Sequence, residues 1–270
     1  MEITKKHWIG ALIAIVIAVF VVWGLVHYMK LLVAVPPSES GIATSTTEGT
    51  ATSTSTVATS TAQVVKSITP FPINTADAPV SWSFKSPAQG DAMLIAQANA
   101  DIQKLTALLG NGQYDAYDLY NGIANDYATL GNGQEAYQYY NRSIRIYPTK
   151  GLAYVNLAHL MSQMGAYYTA ADAYAKAVTV EPGMLQYHLA RLAYLTEQFP
   201  KDTTRIVKAF ADASKQFGDN ASILSIEARW LTGQGRYADA IKAWQTAKTL
   251  SPGKDTSAID AEIARLQAKQ

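Results

Sequence analysis

The chain contains no cysteine. Disulfides, thiolate metal sites and a lipid-modified N-terminal cysteine are therefore excluded. It has only four histidines, His7, His27, His159 and His188, and none forms a spaced metal pair. It carries almost no net charge, +1 overall, which gives no argument for nucleic acid. There is no nucleophile-elbow serine, no phosphate-binding loop of the Walker type and no zinc-protease helix. Gly131-Asn132-Gly133-Gln134-Glu135-Ala136 and Gly233-Gln234-Gly235-Arg236-Tyr237-Ala238 spell a loose dinucleotide motif. That motif works only after a strand, and here each copy follows a helical pattern. No cofactor, no metal, no nucleic-acid partner and no enzymatic activity are expected.

One long hydrophobic run is present. Trp8–Val26 holds nineteen residues without a charge, twelve of them Ile, Val, Leu or Phe. At about 1.5 Å per residue it spans roughly 28 Å, close to the thickness of a bilayer core. Those side chains contribute about −4 to −7 kcal/mol to insertion. Trp8, Trp23 and Tyr28 lie near its ends, where aromatic rings prefer the interface. The run leads into Val33-Ala34-Val35-Pro36-Pro37, a poor cleavage site, so an uncleaved anchor is expected over 8–35. Residues 1–7 form a short N-terminus whose Lys5 and Lys6 favour the cytoplasmic side, placing the rest of the chain outside the cytoplasm.

Ser38–Thr61 contains fifteen Ser or Thr among twenty-four residues. Such a stretch cannot bury enough apolar surface to offset its ordering entropy. Residues 36–90 are therefore expected as a disordered, flexible linker with a span of about 40 Å. Within it, Val80–Phe84 alternates like a short strand or a docking segment.

The remaining sequence is dominated by a pattern that recurs after 34 residues. Its best copy reads Tyr154, Leu157, Ala158, Met161, Gly165, Tyr167, Ala170, Tyr174, Ala177, Pro182. The preceding copy reads Tyr120, Ile123, Ala124, Tyr127, Gly131, Gly133, Ala136, Tyr140, Ser143, Pro148. A later one reads Leu224, Glu227, Ala228, Leu231, Gly235, Tyr237, Ala240, Trp244, Ala247, Pro252, with Glu227 breaking the apolar pattern. The apolar slots are three or four apart, the spacing of helices. The glycines sit where a helix C-terminus turns, and the prolines stop the second helix. Small alanines facing large aromatics are how paired helices interdigitate.

These slots resemble the tetratricopeptide repeat (TPR) family. The resemblance implies an all-α fold, a solenoid of helical hairpins over residues 91–270, preceded by one transmembrane helix and the linker. Repeats are expected at 117–150, 151–184 and 221–254, with a degenerate copy at 185–220. In that copy Leu189, Leu192 and Ala193 are assigned to the first helix and Ile206, Phe210 and Ala213 to the second, and Pro200 replaces the turn glycine. A C-terminal capping helix is expected at 255–270, opened by a capping box of Ser257 and Asp260. Asp91–Leu109 is a further helical stretch. About nine or ten helices and no sheet are expected.

The resemblance also implies a groove on the first helices, where such repeats seat a peptide. Carried over by position, the partner-binding residues are Asn121, Asn125, Asn156, His159, Tyr187, Arg191, Tyr194 and Arg229. Some family members clamp a terminal carboxylate with lysines. Asn121 and Tyr187 stand where those lysines belong, so that clamp is not expected. The expected function is a membrane-tethered protein-protein interaction scaffold that binds a peptide or helix of a partner, within an envelope complex of the inner or plasma membrane. The alternative is a self-assembling structural membrane protein with its groove unoccupied. Residues 67–140 carry a net −5 and residues 141–270 a net +5; solvated helix faces account for this uneven spread, and head-to-tail self-association or steering of a charged partner is the sharper alternative.

Overall fold

The computed structural model describes residues 70–78, 80–252 and 255–270. The expected anchor at 8–35 and the Ser/Thr-rich part of the linker lie outside the described residues. Among those described, no helix is long and apolar enough to cross a membrane.

Ten α-helices follow one another among the described residues, with no strand: α1 (Ala92–Leu108), α2 (Ala116–Thr129), α3 (Gly133–Ile146), α4 (Leu152–Gln163), α5 (Tyr167–Val180), α6 (Leu185–Gln198), α7 (Thr203–Phe217), α8 (Ala221–Gly233), α9 (Tyr237–Thr249) and α10 (Ser257–Gln267). Helices α2 to α9 form four antiparallel hairpins. The turns of three of them end on Gly131, Gly165 and Gly235, at φ of 77°, 77° and 73°, a region that L side chains rarely adopt. Starts are set by side-chain caps: Asp91 accepts from Leu94 N, Asp115 from Tyr117 N, Asp202 from Arg205 N and Asn220 from Ser222 N. The capping box expected of Ser257 with Asp260 is not formed. Thr256 is the N-cap of α10 and makes no side-chain cap, and Ser257 N donates instead to Asp255.

The small-against-large packing is realised literally. Ala124, Ala136, Ala158, Ala170, Ala228 and Ala240 are all fully buried, and Tyr140, Tyr174 and Trp244 fill the space opposite. A larger side chain at any of those alanines forces two helix backbones apart. Each second helix packs on the next first helix, and α9 is covered in the same way by α10. Leu266 of α10 is fully buried there, closing the end of the stack.

The degenerate hairpin keeps the 34-residue register in its first helix, one residue earlier than the sequence pattern suggested. His188, Arg191, Leu192 and Leu195 are buried, in the slots of Tyr154, Leu157, Ala158 and Met161. Leu189 consequently sits half-buried at the edge of the core and Ala193 is exposed. His188 substitutes for a tyrosine in detail: its Nε2 lies 3.0 Å from the Pro182 carbonyl, as the Tyr154 hydroxyl lies 3.0 Å from that of Pro148. Ile206, Phe210 and Ala213 of α7 occupy the second-helix slots as expected. The offset changes at the turn Phe199–Asp202, where Pro200 turns its carbonyl to Trp230 Nε1 at 3.2 Å and Gln234 Nε2 at 2.9 Å of the next hairpin.

The last part of the expected linker is packed rather than free. Ser86 and Ala88 bond to the Thr129 carbonyl at the end of α2. Trp82 O accepts from Gly133 N at 3.1 Å, and the Trp82 ring packs on Tyr137 at 5.1 Å. Phe71 is held at both backbone groups, its N by Asn141 and its O by the Tyr137 hydroxyl. Asn74 bonds to Thr169 and Asp172, and Asp77 sits at the N-terminus of α5. The segment thus crosses two successive second helices. Its order follows from composition: Phe71, Ile73, Val80, Trp82 and Phe84 all pack on the core.

Candidate functional site

First helices touch across hairpins, α2 with α4 and α6 with α8. Successive second helices make no comparable contact among the described residues. The stack therefore bends toward its first helices, and their outward stripe becomes the inner face of the curve. The docked segment runs over the second helices and leaves that inner face open.

Three of the expected partner-binding residues stand at one repeated position of this face. Asn125, His159 and Arg229, on α2, α4 and α8, occupy the ninth position of the repeats that begin at residues 117, 151 and 221, and all three are exposed. Each rests on the large aromatic of its own hairpin, fifteen residues on in every case. The Tyr140 hydroxyl donates to Asn125 Oδ1. The Tyr174 hydroxyl lies 3.2 Å from His159 Nδ1, with the rings edge-on at 83°. The Arg229 guanidinium lies over the Trp244 ring, 5.8 Å from its centre. Crowding by the groove walls lowers the pKa of both His159 and Arg229 from their ordinary values, although solvent reaches each. In the degenerate hairpin the same slot holds Ala193.

Asn156 is half-buried beside this row on α4. Tyr187 is also half-buried, and it has structural work. Its ring closes over Gly151, where an added Cβ would collide with it, and Glu181 accepts from Gly151 N beside it. Burial, then the charge of Glu181, pushes the Tyr187 phenol up to about 12.

The other three do not present themselves on the groove. Asn121 is buried, donating to the Tyr117 carbonyl and to Ser143 Oγ. Arg191 is buried in a core slot and ion-paired with Asp212 at 3.0 Å. Tyr194 is buried with its hydroxyl on the Tyr167 carbonyl. The Arg191 and Tyr194 assignments fail because the degenerate helix was read one residue out of register. In the observed register its groove slots are Gln186, Leu189, Ala190, Ala193 and Thr196, which sequence reasoning missed. The signal was present: counting 34 from Tyr154 reaches His188, a polar residue able to repeat the tyrosine's hydrogen bond.

Comparison with known proteins agrees on the repeat. The family model described as tetratricopeptide repeat matches residues 117–150, the hairpin α2–α3. Among solved structures, MamA from Desulfovibrio magneticus RS-1 (residues 41 to the end) superposes with a TM-score of 0.45 at 15% identity, covering 58% of this chain and 87% of that one. MamA of AMB-1 gives 0.43 at 16%, covering 60% and 90%. The APC/C hetero-tetramer Cut9-Hcn1 gives 0.46 at 16%, covering 68% and 34%. No curated protein matches the sequence.

Proposed function

We propose that this chain, whose residues 117–150 match the tetratricopeptide repeat model, is a protein-binding scaffold whose inner, first-helix face holds a segment of a partner. The observation that carries this reading is the row Asn125, His159 and Arg229. These side chains differ chemically, yet each is solvent-exposed and backed by a buried aromatic of its own hairpin. Backed side chains lose little freedom on binding, which lowers the ordering cost of capturing a peptide or helix. Aromatics and arginine in such places are the usual sources of binding energy.

Residues 8–35 anchor this scaffold in a membrane in our reading, with the repeats on the extracytoplasmic side and the upstream Ser/Thr-rich chain as its tether. Apolar length and the flanking lysines support that placement. The role is non-catalytic presentation of a partner within an envelope complex.

A second reading, self-association of copies, is favoured by one observation. The first turn of α1 exposes Met93, Leu94 and Ile95, with Met93 at 83%, beside the acidic half of the chain. The two readings separate on His159→Ala with Arg229→Ala. Loss of partner capture from solubilised membranes, with sedimentation unchanged, supports the scaffold. Unchanged capture places the site off this face.

A further inference from the structure

Two second helices are joined by a segment that belongs to neither. Helices α3 and α5 make no comparable direct contact with each other among the described residues. Residues 71–77 lie across both. On α3, Asn141 Oδ1 accepts from Phe71 N at 2.6 Å, and the Tyr137 hydroxyl donates to Phe71 O at 2.6 Å. On α5, Thr169 Oγ1 accepts from Asn74 N at 2.9 Å and Asp172 accepts from Asn74 Nδ2 at 2.8 Å. Asp77 accepts from Thr169 through both its N–H and its hydroxyl.

The stack has side chains suited to this segment and to nothing else described. Asn141 and Thr169 are 4% and 0% exposed, and buried polar groups need partners. The Asn141 oxygen and the Thr169 hydroxyl find theirs on residues 71–77. The repeat position of Thr169 holds Glu135 and Asp239 in two other hairpins, acids in the first turns of α3 and α9. The first turn of α5 has no acid. Asp77 supplies from the segment the charge that those helices carry themselves.

The segment is also the least buried part of the joint. No described residue of 70–87 is buried, so it opens at a lower free energy than the hairpins it joins. On the inner side α2 and α4 touch directly. The outer side can therefore hinge about that contact once the segment leaves.

We infer that residues 70–78 are a latch that fixes the angle between the hairpins α2–α3 and α4–α5. Its release loosens this one junction, and with it the part of the inner face that the two hairpins shape. Residues 1–69 join the stack through the latch, so whatever engages them acts on the inner face from the outer side. This goes beyond the scaffold reading and holds whatever the inner face binds.

The absence of cysteine lets spin labels be placed in pairs on the full chain in detergent micelles. Cysteines at Gln138 and Lys176 read the outer side of the joint, and cysteines at Asp118 and Leu152 its inner side. Cysteines at Lys215 and Gln245 read the junction of α7 with α9, which no described segment bridges; all six positions are exposed. Each pair should give one narrow distance in the otherwise unchanged chain. In Asn74→Ala with Asp77→Ala, the first two distributions should broaden. The third should stay narrow, and far-UV circular dichroism should hold. An unchanged distance between 138 and 176 overturns the latch, because the joint is then rigid without it. Broadening of the outer pair alone overturns the link to the inner face. Broadening of all three pairs, or a loss of helical signal, overturns the latch as well, because the effect is then not confined to one junction.

Discussion

Asp77 caps a helix that begins far from it in the chain. Its carboxylate accepts from Tyr168 N and from both the N–H and the hydroxyl of Thr169, 92 residues downstream, the latter at 2.7 Å. Helix α5 has Ala166 at its own N-cap and no side-chain cap there. A negative charge at a helix N-terminus also meets the positive end of the helix dipole. Asp77→Ala should lower stability by about 1–2 kcal/mol, the scale of a lost cap. Hydrogen exchange should show protection lost over 70–88 and the first turn of α5 together. Loss of stability without that joint loss of protection would show that the segment docks independently of the cap.

Gly133 gives a second, sharper test of the docking. Its slot in the repeat holds Tyr167 and Tyr237 elsewhere. A Cβ at Gly133 would collide with Met164 Sδ and the Trp82 carbonyl. Helix propensity alone favours Ala over Gly by about 1 kcal/mol, but overpacking costs about 1–3 kcal/mol. Gly133→Ala is therefore expected to lower the urea midpoint. Gly183→Ala, with open space around it, should not.

Arg191 and Arg229, both expected in the groove, should respond differently to substitution. Arg191 is buried in a slot that holds Leu157 in the preceding hairpin, and Asp212 keeps Lys208 as a second partner. Arg191→Ala leaves a cavity and a weakened pair and should cost about 2 kcal/mol. Arg191→Leu refills the slot and should cost under about 1 kcal/mol. Arg229→Ala should be close to neutral in thermal melts, because its side chain is exposed.

Acidity should reveal the junction of α1 and α2. Asp126 is pushed up to about 7, by burial first and by the facing charge of Asp101 second. Its folded-state pKa lies above the unfolded value, so the folded form holds the proton more tightly. The associated stability is present below about pH 4 and is lost as pH rises through about 7. Asp126→Asn should raise the melting temperature at pH 8 and have little effect at pH 4.5. An equal effect at both would remove Asp126 as the titrating group.

Ala170→Arg tests the helix-pair packing itself. Ala170 is fully buried where α4 and α5 approach, so the substitution forces a charge into a close contact. A loss of more than about 3 kcal/mol is expected, read as a large fall in the unfolding midpoint.

Much of this was legible in the sequence, because side-chain size repeats. Alanine against tyrosine or tryptophan at fixed spacing marked three hairpins and their glycine turns, whereas Asn125, His159 and Arg229 were expected only from what the family resemblance implies. The degenerate hairpin was misread where polar residues took apolar slots: His188 works as a hydrogen-bonding tyrosine, and Arg191 is neutralised by Asp212. Hydrophobicity alone slides that helix by one residue. The docked segment was legible only in Val80–Phe84. Its clearest trace was a departure from the repeat, Gly133 where a tyrosine was due, because the Trp82 backbone occupies the space.

Photo-cross-linking in native membranes tests the central claim most directly. A benzophenone amino acid placed at Asn156, on the inner face, is compared with one at Lys176 or Lys242, both exposed on second helices. The scaffold account predicts a discrete adduct with another protein from Asn156 and none from the two lysine positions. Adducts from Lys176 or Lys242 alone, with Asn156 silent, would contradict it.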